Sequence, residues 1–569
     1  MNKPLSGYQW IIIEEENKAP DFLIKKYGKV LGQLIYNRKH LFNEEFTEET
    51  LYPSLKNLLN PSLFNSLETV AYKLAESIKK NKKITVYGDY DADGITSTSL
   101  LINFFKDIGL DVRYYIPSRF QEGYGLNKNA IKTIAKNSDV MIVVDSGTSA
   151  YDELLYAKQL GLEVFVFDHH EPKNPEWKEE NVHILNPKLY YDINPSFKHL
   201  ASVGISFYVI ILLRRLLNLD IKLKPYLDIV AIGTVADVVP LSSINRILVK
   251  NGLEIINQKK RVGIRSLIEQ TSSANRDITS FDLGFVLAPR INAAGRLDDA
   301  KKAVKLLVTN DERSARVLST ELEFLNRKRQ KLTERVFQEA QSYIKDQDSQ
   351  TAVVVASNNW HAGVIGIVAG RLVEKYRVPA IVLSIDNGTA VASARSVSQI
   401  NIYEALKNCS EYFERFGGHS AAAGFTLKTE FIDDFREKLQ KTIRESAGEK
   451  PWVSKEIDME VPLNYWTVEE VNKLKMLEPY GEKNPSPKFI AKNLRIEDFV
   501  TIGTPPNHLK FWFRDEDKKS FSGLWWGASE YSKYLSVGKK VDIVYTPKIN
   551  LWNGVESVNF IINDMRFSI

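Results

Sequence analysis

Three aspartates stand at alternate positions of one short stretch, directly after a run of strand-forming residues. Asp89, Asp91 and Asp93 follow the run at residues 84–87, and Gly94 comes next. Carboxylates held this close repel one another, so each resists ionisation unless a cation lies between them. Dense oxygen ligands are typical of sites for Mg²⁺, Mn²⁺ or Ca²⁺. The stretch is therefore a candidate metal site.

Two other interpretations of this stretch compete with a catalytic metal site. One is an acidic turn that is simply exposed to water. The other is a calcium loop with acids at positions 1, 3 and 5, glycine at 6 and glutamate at 12. Position 12 here is Leu100, which cannot bind calcium, and the stretch follows a strand pattern. The calcium loop is excluded, and ligands elsewhere in the chain must decide between the other two.

The length and composition indicate a large globular protein. A chain of 569 residues is too long for one hydrophobic core, so three or four domains are expected. Lys and Arg exceed Asp and Glu by 76 − 71 = 5, a basic excess that permits a nucleic-acid partner without requiring one. The single cysteine, Cys409, excludes internal disulfides and a thiolate metal cage, which is typical of the cytoplasm.

The longest apolar run argues against a membrane protein. Residues 200–213 end at Arg214 and Arg215, so the run is shorter than the roughly 18 residues that a spanning helix needs. We interpret it as a buried helix. We expect no secretory signal at the N-terminus, because three glutamates follow its apolar run at residues 10–13.

The first half of the chain alternates strand-like and helix-like segments after a helical region at residues 1–80. Strands are predicted at residues 84–87, 112–116, 140–144 and 163–167, and helices at residues 97–108, 128–136 and 151–160. This alternation predicts a parallel sheet with crossover helices, in which ligands bind beyond the carboxyl ends of the strands.

Acids and imidazoles follow three of these strands. Asp145 comes directly after residues 140–144, and Asp168, His169 and His170 come after residues 163–167. A single such Asp is explained by helix capping, but three strands in a row favour a shared site. Neighbours on an extended chain point in opposite directions, so we expect one histidine to bind metal and the other to orient a ligand or contact phosphate.

Asp237 is a further candidate, because it lies inside an apolar run. An unpaired buried carboxylate is costly, which favours a position facing a charge. The alternative is an exposed acid at the helix end before Pro240.

The middle of the chain predicts one long helix. Residues 311–345 lack glycine and proline and carry apolar residues at helical spacing, so they would span about 50 Å. Such a helix bridges two domains more often than it packs within one, although a core helix of a single domain has the same pattern.

Two later segments suit anion binding. Arg395 follows a strand-like run, and the paired glycines Gly417 and Gly418 precede His419 and Ser420 after a predicted helix. Successive N–H groups in such a turn can face one phosphate, although a lone Gly-Gly-His is otherwise a helix C-cap.

The C-terminal residues predict a small β-barrel. Aromatic and basic residues alternate at residues 508–514, and Asn553-Gly554 is a strong hairpin signal. Barrels of the OB type stack single-stranded bases on such rings. The alternative is that most of these rings are core.

The ordered motifs resemble the DHH phosphoesterase superfamily, and most closely its single-strand-specific exonuclease branch. Residues 88–94, 143–147, 168–170 and 233–237 resemble the four superfamily motifs, and residues 119–125, 289–297 and 360–366 extend the match. The resemblance covers the chain from about residue 80 to the C-terminus.

The sequence pattern and the resemblance together predict a fold of class α/β with five segments. They are an N-terminal helical extension at residues 1–80, a parallel-sheet DHH catalytic domain at 81–310, a connecting helix at 311–345, a smaller α/β DHH-associated domain at 346–445 and an OB-like nucleic-acid-binding barrel at 455–569.

The resemblance also implies roles for particular residues. Two Mn²⁺ or Mg²⁺ ions would be bound by Asp89, Asp91, Asp93, Asp145, His169 and Asp237, with His170 as a further catalytic residue. The substrate would be held by Arg119, Arg290, Asn292, Arg296 and Arg395 and by the segment Gly417, Gly418, His419 and Ser420.

The implied activity is a metal-dependent 5′ to 3′ exonuclease on single-stranded DNA that releases 5′ mononucleotides in DNA repair and recombination. The expected protein is a cytoplasmic monomer without membrane contact, and its expected partners are a single-strand-binding protein and a helicase. A small-substrate DHH phosphodiesterase and a metal-free DNA-binding scaffold are the rival functions. One departure from the family is Lys483, which stands where a glycine is usual, so a loop that needs positive φ there is in doubt.

Overall fold

The computed structural model of the chain contains two compact units. The first comprises Met1–Leu5, Ile12–Phe324 and Glu456–Ile569, and the second comprises Ser6–Ile11 and Leu325–Lys455. The structure describes residues 3–41, 48–119, 122–123, 125–190, 193–344, 351–447, 454–552 and 554–568.

Short helices dominate the N-terminal segment, as predicted. The strand β1 is Gln9–Ile12, and the helices are α1 (Ile13–Glu16), α2 (Asp21–Tyr27), α3 (Lys29–Asn37), α4 (Glu48–Leu51) and α5 (Asn65–Lys79). Leu31, Leu34 and Ile35 of α3 are buried in the same hydrophobic core as Phe489 and Phe511 of the C-terminal region. This part of the N-terminal segment therefore packs with the C-terminal strands.

A five-stranded parallel sheet follows, with the strand order β3-β2-β4-β5-β6. Its strands are β2 (Ile84–Gly88), β3 (Arg113–Tyr115), β4 (Val140–Val144), β5 (Glu163–Phe167) and β6 (Val182–Leu185). All five residues of β4 are buried, which explains its continuous apolar sequence. The four predicted strands are present, and β6 was not predicted.

Helices cover this sheet and continue beyond it. They are α6 (Ala92–Asp107), α7 (Lys128–Ala135), α8 (Tyr151–Gln159), α9 (Ser202–Leu216), α10 (Leu227–Ala236), α11 (Ser243–Asn257), α12 (Val262–Glu269), α13 (Ser280–Asp282), α14 (Ala288–Leu297) and α15 (Lys301–Val308). The prediction that α6 starts near Ser97 is wrong by about one turn. Asp91 caps the helix, since its side chain accepts hydrogen bonds from the N–H groups of Asp93 and Gly94.

The apolar run at residues 200–213 lies mostly in α9, whose residues are almost all buried, as predicted. Within the described part of the chain, no helix combines the length and the apolar character that a membrane span requires.

The predicted long helix is present as α16 (Glu312–Tyr343), which has 32 residues. Its residues up to Phe324 belong to the first unit, and its residues from Leu325 onward belong to the second. Leu322, Val336 and Ala340 are buried, in agreement with the helical spacing of its apolar residues.

The second unit has a mixed five-stranded sheet with the order β10-β11-β9-β8-β7, in which only β7 and β8 are parallel. Its elements are β7 (Val353–Ser357), α17 (Ile365–Tyr376), β8 (Ala380–Asp386), β9 (Thr389–Arg395), α18 (Ile402–Lys407), β10 (Phe413–His419), β11 (Ala422–Lys428) and α19 (Ile432–Ala447).

The C-terminal region forms the predicted closed barrel. Its elements are β13 (Met459–Glu460), α20 (Val468–Lys473), β14 (Phe489–Ile502), β15 (His508–Arg514), β16 (Ser520–Trp525), β17 (Lys540–Trp552) and β18 (Val555–Phe567). The preceding strand β12 (Ser454–Ile457) pairs with β1 in a separate two-stranded sheet. The barrel closes because β14 pairs with both β15 and β17, while β18 joins β16 to β17.

Several sequence predictions concern residues outside the described ranges. Asn553 of the predicted hairpin turn is one of them, although Trp552 and Val555 on either side are paired in register. Phe120, Gln121 and Tyr124 of the motif at residues 119–125 also lie outside the described residues.

Candidate metal centre at the edge of the parallel sheet

The strand order explains how distant acids meet. β4 lies between β2 and β5, so the segments that follow these three neighbouring strands leave the sheet at one edge. Asp89 follows β2, Asp145 follows β4, and His169 comes two residues after β5. Asp237 arrives from the C-terminal end of α10, at the C-cap position. Acids and an imidazole that are far apart in the sequence thus reach one place.

His169 lies among three carboxylates. Its Nε2 atom is 3.3 Å from Asp237 Oδ2, 3.4 Å from Asp145 Oδ1 and 3.9 Å from Asp93 Oδ2. Asp93, His169 and Asp237 present ligand atoms that all lie within 4.8 Å of one another. These three side chains are suited to hold one cation.

A second set of carboxylates adjoins this group. Asp89, Asp91 and Asp145 also place one oxygen each within 4.8 Å of the others, and Asp145, His169 and His170 form a third such group. Because Asp145 and His169 recur between groups, the three sets form one continuous cluster. A pair of cations fits this arrangement better than a single ion.

The carboxylates of the cluster resist ionisation in the absence of a cation. Burial, followed by repulsion from Asp91, raises the pKa of Asp93 to about 6. Burial likewise raises the pKa of Asp89, Asp145 and Asp237 well above the ordinary value, and neighbouring aspartates add to each shift. Positive charge at this place would therefore be strongly stabilised.

The buried oxygens test whether a metal ion fits. Asp89 Oδ1 and Asp237 Oδ2 are buried and have no hydrogen-bond donor among the described residues. Such oxygens are costly unless something positive contacts them. Carboxylate oxygens with one imidazole are ligands that Mn²⁺ accepts readily, and the oxygen majority also suits Mg²⁺. The residues present fit the two divalent ions.

Asp168 organises the histidine pair and was not among the predicted site residues. Its Oδ1 accepts hydrogen bonds from the N–H groups of His169 at 2.8 Å and His170 at 3.2 Å, and from His170 Nδ1 at 2.7 Å. Its Oδ2 accepts from the Thr148 N–H at 2.9 Å. The signal was present in the sequence, since this is the first residue of the Asp-His-His motif.

The Asp168–His170 contact favours the charged form of both side chains, an ionised carboxylate and a protonated imidazole. Burial alone would raise the pKa of Asp168, but the hydrogen bond and charge of His170 lower it below the ordinary range. For His170, burial opposes the charged ring, yet Asp168 outweighs it and raises the pKa. The His170 ring is thereby favoured as a cation next to the cluster.

The N-terminus of α9 fixes Asp93. The Ser202 N–H donates to Asp93 Oδ2 at 2.7 Å and the Val203 N–H donates to Oδ1 at 2.9 Å. Ser202 Oγ also donates to Asp145 Oδ1 at 3.2 Å. Helix N-termini favour carboxylates. Sequence reasoning missed this contribution, since it saw only a buried apolar helix here.

Two residues of the site have unusual backbone conformations. Asp145 has φ of 62° and Val238, next to Asp237, has φ of 57°. A β-branched residue rarely adopts positive φ, so Val238 marks local strain. Strain of this kind persists only where the surrounding structure fixes the chain.

Close packing positions the loop at residues 89–94. A Cβ added to Gly295 of α14 would lie 2.2 Å from the Tyr90 carbonyl oxygen, so only glycine fits there. Asn292 Oδ1, one turn earlier, accepts a hydrogen bond from the Ala92 N–H at 2.8 Å. The segment that was predicted to bind substrate thus also supports the acidic loop.

The predicted phosphate-binding arginines of the first unit differ in their surroundings. Arg119 lies over the Tyr90 ring at 5.4 Å. Burial and Asp91 raise the pKa of Asp89, and the charge of Arg119 opposes that rise in part. Arg290 pairs with Glu323 of α16 at 2.7 Å and donates to the Val286 carbonyl at 2.6 Å. Arg296 directly follows Gly295 on α14. Arg119 and Arg296 therefore both lie near Tyr90 of the acidic loop, whereas Arg290 pairs with its own carboxylate partner.

The remaining predicted substrate residues lie in the second unit. Arg395 ends β9, close to Gly366, and it pairs in register with Ala422. The prediction of a turn at Gly417 and Gly418 is wrong, because both residues are inside the strand β10, opposite Gly424 and Ala423 of β11. His419 ends that strand and Ser420 follows it, and all four residues are exposed.

Three family models match the chain in the order of its domains. They are the N-terminal domain of the DHH family at residues 83–234, the DHHA1 domain at residues 348–445 and the RecJ OB domain at residues 457–564.

Curated proteins are similar along most of the chain. The single-stranded-DNA-specific exonuclease RecJ of Bacillus subtilis is 37% identical over 514 residues, which are 90% of this chain and 64% of that protein. RecJ of Haemophilus influenzae is 34% identical, over 84% of this chain and 85% of that protein. RecJ of Dickeya dadantii is 32% identical, over 91% of this chain and 93% of that protein.

Solved structures show the same fold. The crystal structure of RecJ from Thermus thermophilus in complex with Mn²⁺ has a TM-score of 0.84 at 29% identity and covers 99% of this chain and 80% of that one. Its complex with Mg²⁺ has a TM-score of 0.78 at 28% identity, with 99% and 79% covered. The predicted fold class is confirmed.

Proposed function

Because the chain belongs to the RecJ family of single-stranded-DNA-specific exonucleases, we propose that it hydrolyses single-stranded DNA with two divalent cations. The observation that carries the proposal is the cluster of buried carboxylates around His169, two of whose oxygens have no hydrogen-bond donor among the described residues. The 5′ to 3′ direction and the release of 5′ mononucleotides are proposed by analogy with the family. Mn²⁺ and Mg²⁺ are the proposed ions, since both are bound in the similar crystal structures.

The residues divide between the two ions according to their grouping. Asp93, His169 and Asp237 would hold one ion, and Asp89 and Asp91 the other, with Asp145 able to contact both. When bound, two such ions lower the pKa of a water molecule and offset the charge of the scissile phosphate.

The surrounding residues of the chain hold this apparatus in place. Asp168 accepts three hydrogen bonds from the histidines, namely from the N–H groups of His169 and His170 and from the His170 ring. A fourth, from the Thr148 N–H, holds Asp168 itself. The raised pKa of His170 favours a charged ring, which attracts a phosphate oxygen. Arg119 and Arg296, which both lie near Tyr90 of the acidic loop, are proposed to bind neighbouring phosphates, because a guanidinium matches their oxygens with paired donors.

We also propose substrate contacts on α14, in the second unit and in the barrel. The retained candidates are Arg290, Asn292, Arg395 and residues 417–420. Arg290 pairs with Glu323, so it would have to break that ion pair or bind phosphate beside it. In the barrel, Trp526 is 54% exposed and lies against His508, with ring centroids 4.7 Å apart. Exposed rings of this kind stack unpaired bases, whereas Phe489 and Phe511 are core.

The proposed domain boundaries are those predicted from the sequence: 1–80, 81–310, 311–345, 346–445 and 455–569. The three family-model matches lie inside the second, fourth and fifth of these ranges. Action in the cytoplasm as a monomer, with a single-strand-binding protein and a helicase in repair and recombination, is proposed from the family alone.

The test digests end-labelled DNA with the wild-type chain and Asp91→Ala. Wild type is expected to release 5′ label at once as mononucleotide and 3′ label only late, to spare blunt duplex, and to need Mn²⁺ or Mg²⁺. Asp152→Ala, which removes an exposed acid of α8, is the control and should keep full activity. Unchanged digestion by Asp91→Ala would overturn the assignment. Faster turnover of a dinucleotide than of a long strand would favour a small-substrate phosphodiesterase.

A further inference from the structure

A loop before the barrel strand β14 contacts the segment that carries Asp237. We call residues 478–485 the support loop. The Leu241 N–H donates to the Glu482 carbonyl at 2.9 Å, and a Cβ added to Gly481 would lie 2.6 Å from Leu241 Cδ1. Leu241 is 1% exposed and stands four residues after Asp237. The segment that leads into β14 therefore contacts the chain four residues after Asp237.

The support loop is internally fixed. Gly481 and Asn484 exchange backbone hydrogen bonds at 2.9 and 3.0 Å. The side-chain amide of Asn484, which is fully buried, donates to the carbonyls of Leu477 and Pro479 at 2.8 Å each. Its oxygen accepts from Arg38 Nε at 3.2 Å. The loop is thus a preformed surface and not a segment that adapts to Leu241.

Residues of the DHH region bind the support loop and the two residues directly before it. Ser280 Oγ donates to the Tyr480 carbonyl at 2.6 Å. Arg246 of α11, which is 2% exposed, donates to the carbonyls of Leu477 at 2.9 Å and Met476 at 3.2 Å. Together with Arg38, these contacts set the position of the loop independently of Leu241.

The segment after Asp237 needs such support. Val238 has φ of 57° and is 65% exposed, so its own side chain does not hold it in this conformation. Beyond it, the Pro240 carbonyl accepts from Asn245 Nδ2 at 3.0 Å, and Leu241 is held by Glu482 and Gly481. A strained residue keeps its conformation only if the chain is fixed on both sides, and α10 fixes the other side.

We propose that the support loop positions Asp237, so that the contact of Gly481 and Glu482 with Leu241 sets the affinity of the adjoining metal site. Gly481 and Leu241 are positioning residues in this view, since neither belongs to the ligand cluster. The inference rests on the proposed metal-dependent function. It assigns part of the metal-site geometry to the segment that leads into the barrel.

The experiment measures Mn²⁺ affinity by isothermal titration, with thermal melting as the folding check. Gly481→Ala adds a methyl where Leu241 Cδ1 lies, and it is expected to weaken Mn²⁺ binding about tenfold, as supporting residues of metal sites do. Leu241→Ala removes the atoms that the methyl meets, so the double variant should regain most of the affinity. Lys483→Gly is the matched control in the same loop: it replaces a residue with φ of 60° and leaves Leu241 untouched, so wild-type affinity is expected.

The outcomes separate this inference from the proposed function. If Gly481→Ala and Leu241→Ala both bind Mn²⁺ like wild type, the inference is overturned, whatever their melting temperatures. Failure of the double variant to recover affinity would also contradict it. Should Gly481→Ala not fold, Leu241→Ala decides alone. Weaker Mn²⁺ binding than wild type then supports the inference, and wild-type binding overturns it. A wild-type chain that binds Mn²⁺ but digests no DNA would remove the proposed function and leave the affinity comparison valid.

Discussion

The carboxylates at the edge of the parallel sheet are buried and held by several elements, whereas the paired glycines of β10 lie exposed on a strand. Asp93 is 1% exposed and accepts hydrogen bonds from two backbone N–H groups of α9. Gly417 and Gly418 pair with the neighbouring strand β11 through their backbone. The buried carboxylates repel one another, and a bound cation would relieve that repulsion. The glycines of β10 instead present a surface that is formed mainly by backbone atoms.

This difference decides what each region contributes to function. Buried like charges bind a cation strongly because water screens them poorly. The strand β10 is at the edge of its sheet, so the N–H and C=O groups that do not pair with β11 face water. Their contacts with a substrate replace contacts with water and yield little net free energy. We therefore expect changes at the acidic edge to abolish chemistry and changes at the glycines to alter substrate binding.

The largest effect is expected from Asp145→Ala. Asp145 belongs to two of the candidate ligand groups, so its loss affects both proposed ions. Several kcal/mol of transition-state stabilisation depend on such ions, which corresponds to a fall of about 10³-fold or more in kcat. Steady-state digestion of a labelled single strand measures this. A fall of less than about tenfold would contradict a shared role for Asp145.

The charge of the acidic edge predicts a pH effect on the metal-free chain. The folded-state pKa of Asp93 is about 6, above its ordinary 3.8, and those of Asp89, Asp145 and Asp237 are also raised. The folded chain then binds more protons than the unfolded chain, so the contribution of Asp93 to stability is greatest below pH 3.8 and falls as pH rises through about 6. The raised pKa values of the other three aspartates act in the same direction.

Melting in the presence of a chelator measures this effect. The melting temperature should fall by a few degrees between about pH 5 and pH 8, and Mn²⁺ should restore it more at the higher pH than at the lower. Asp145→Asn removes one of the repelling charges and should reduce the dependence. A melting temperature that rises over this range in wild type and variant alike would argue against carboxylate repulsion.

The sequence predicts the acidic edge better than the contacts that support it. Residues 140–144 and 164–167 are continuous apolar runs, and an acid follows each, so a parallel sheet was sufficient to place Asp145 and His169 near Asp89. The sequence could not predict the hydrogen bonds from the Ser202 and Val203 N–H groups to Asp93, because they depend on where the first turn of α9 lies in the folded chain.

The glycines show where sequence reasoning fails. At Gly417 and Gly418 the prediction of a turn was wrong, because glycine permits both a turn and a strand that packs closely on its neighbour. Lys483 shows the reverse case, in which a lysine adopts positive φ where a glycine was expected. Backbone conformation at such positions depends on tertiary contacts that the local sequence does not contain.

A smaller effect is expected from Asp168→Asn, with Asp282→Asn as its control. Both carboxylates are buried and have lowered pKa values, Asp168 through His170 and Asp282 through Arg276. Only Asp168 orients the residues of the ligand cluster. We expect Asp168→Asn to weaken Mn²⁺ binding by about 10–100-fold, and Asp282→Asn to lower the melting temperature without changing Mn²⁺ affinity. Equal losses of affinity would mean that stability, not orientation, explains both.

The smallest effect is expected at the paired glycines, which form their own matched comparison. A Cβ on Gly418 would lie 2.4 Å from Ala423 Cα and 2.5 Å from the Ala422 carbonyl oxygen, backbone atoms that cannot move without disturbing the β10–β11 pairing. A Cβ on Gly417 would meet nothing within 4 Å. If this strand edge contacts the substrate through its backbone, Gly418→Ala should raise KM by about fivefold, or roughly 1 kcal/mol, with kcat little changed, while Gly417→Ala stays close to wild type. An equal effect of both variants would point to contact with the glycine surface itself, and a fall in kcat as large as that of Asp145→Ala would remove the distinction between the two regions.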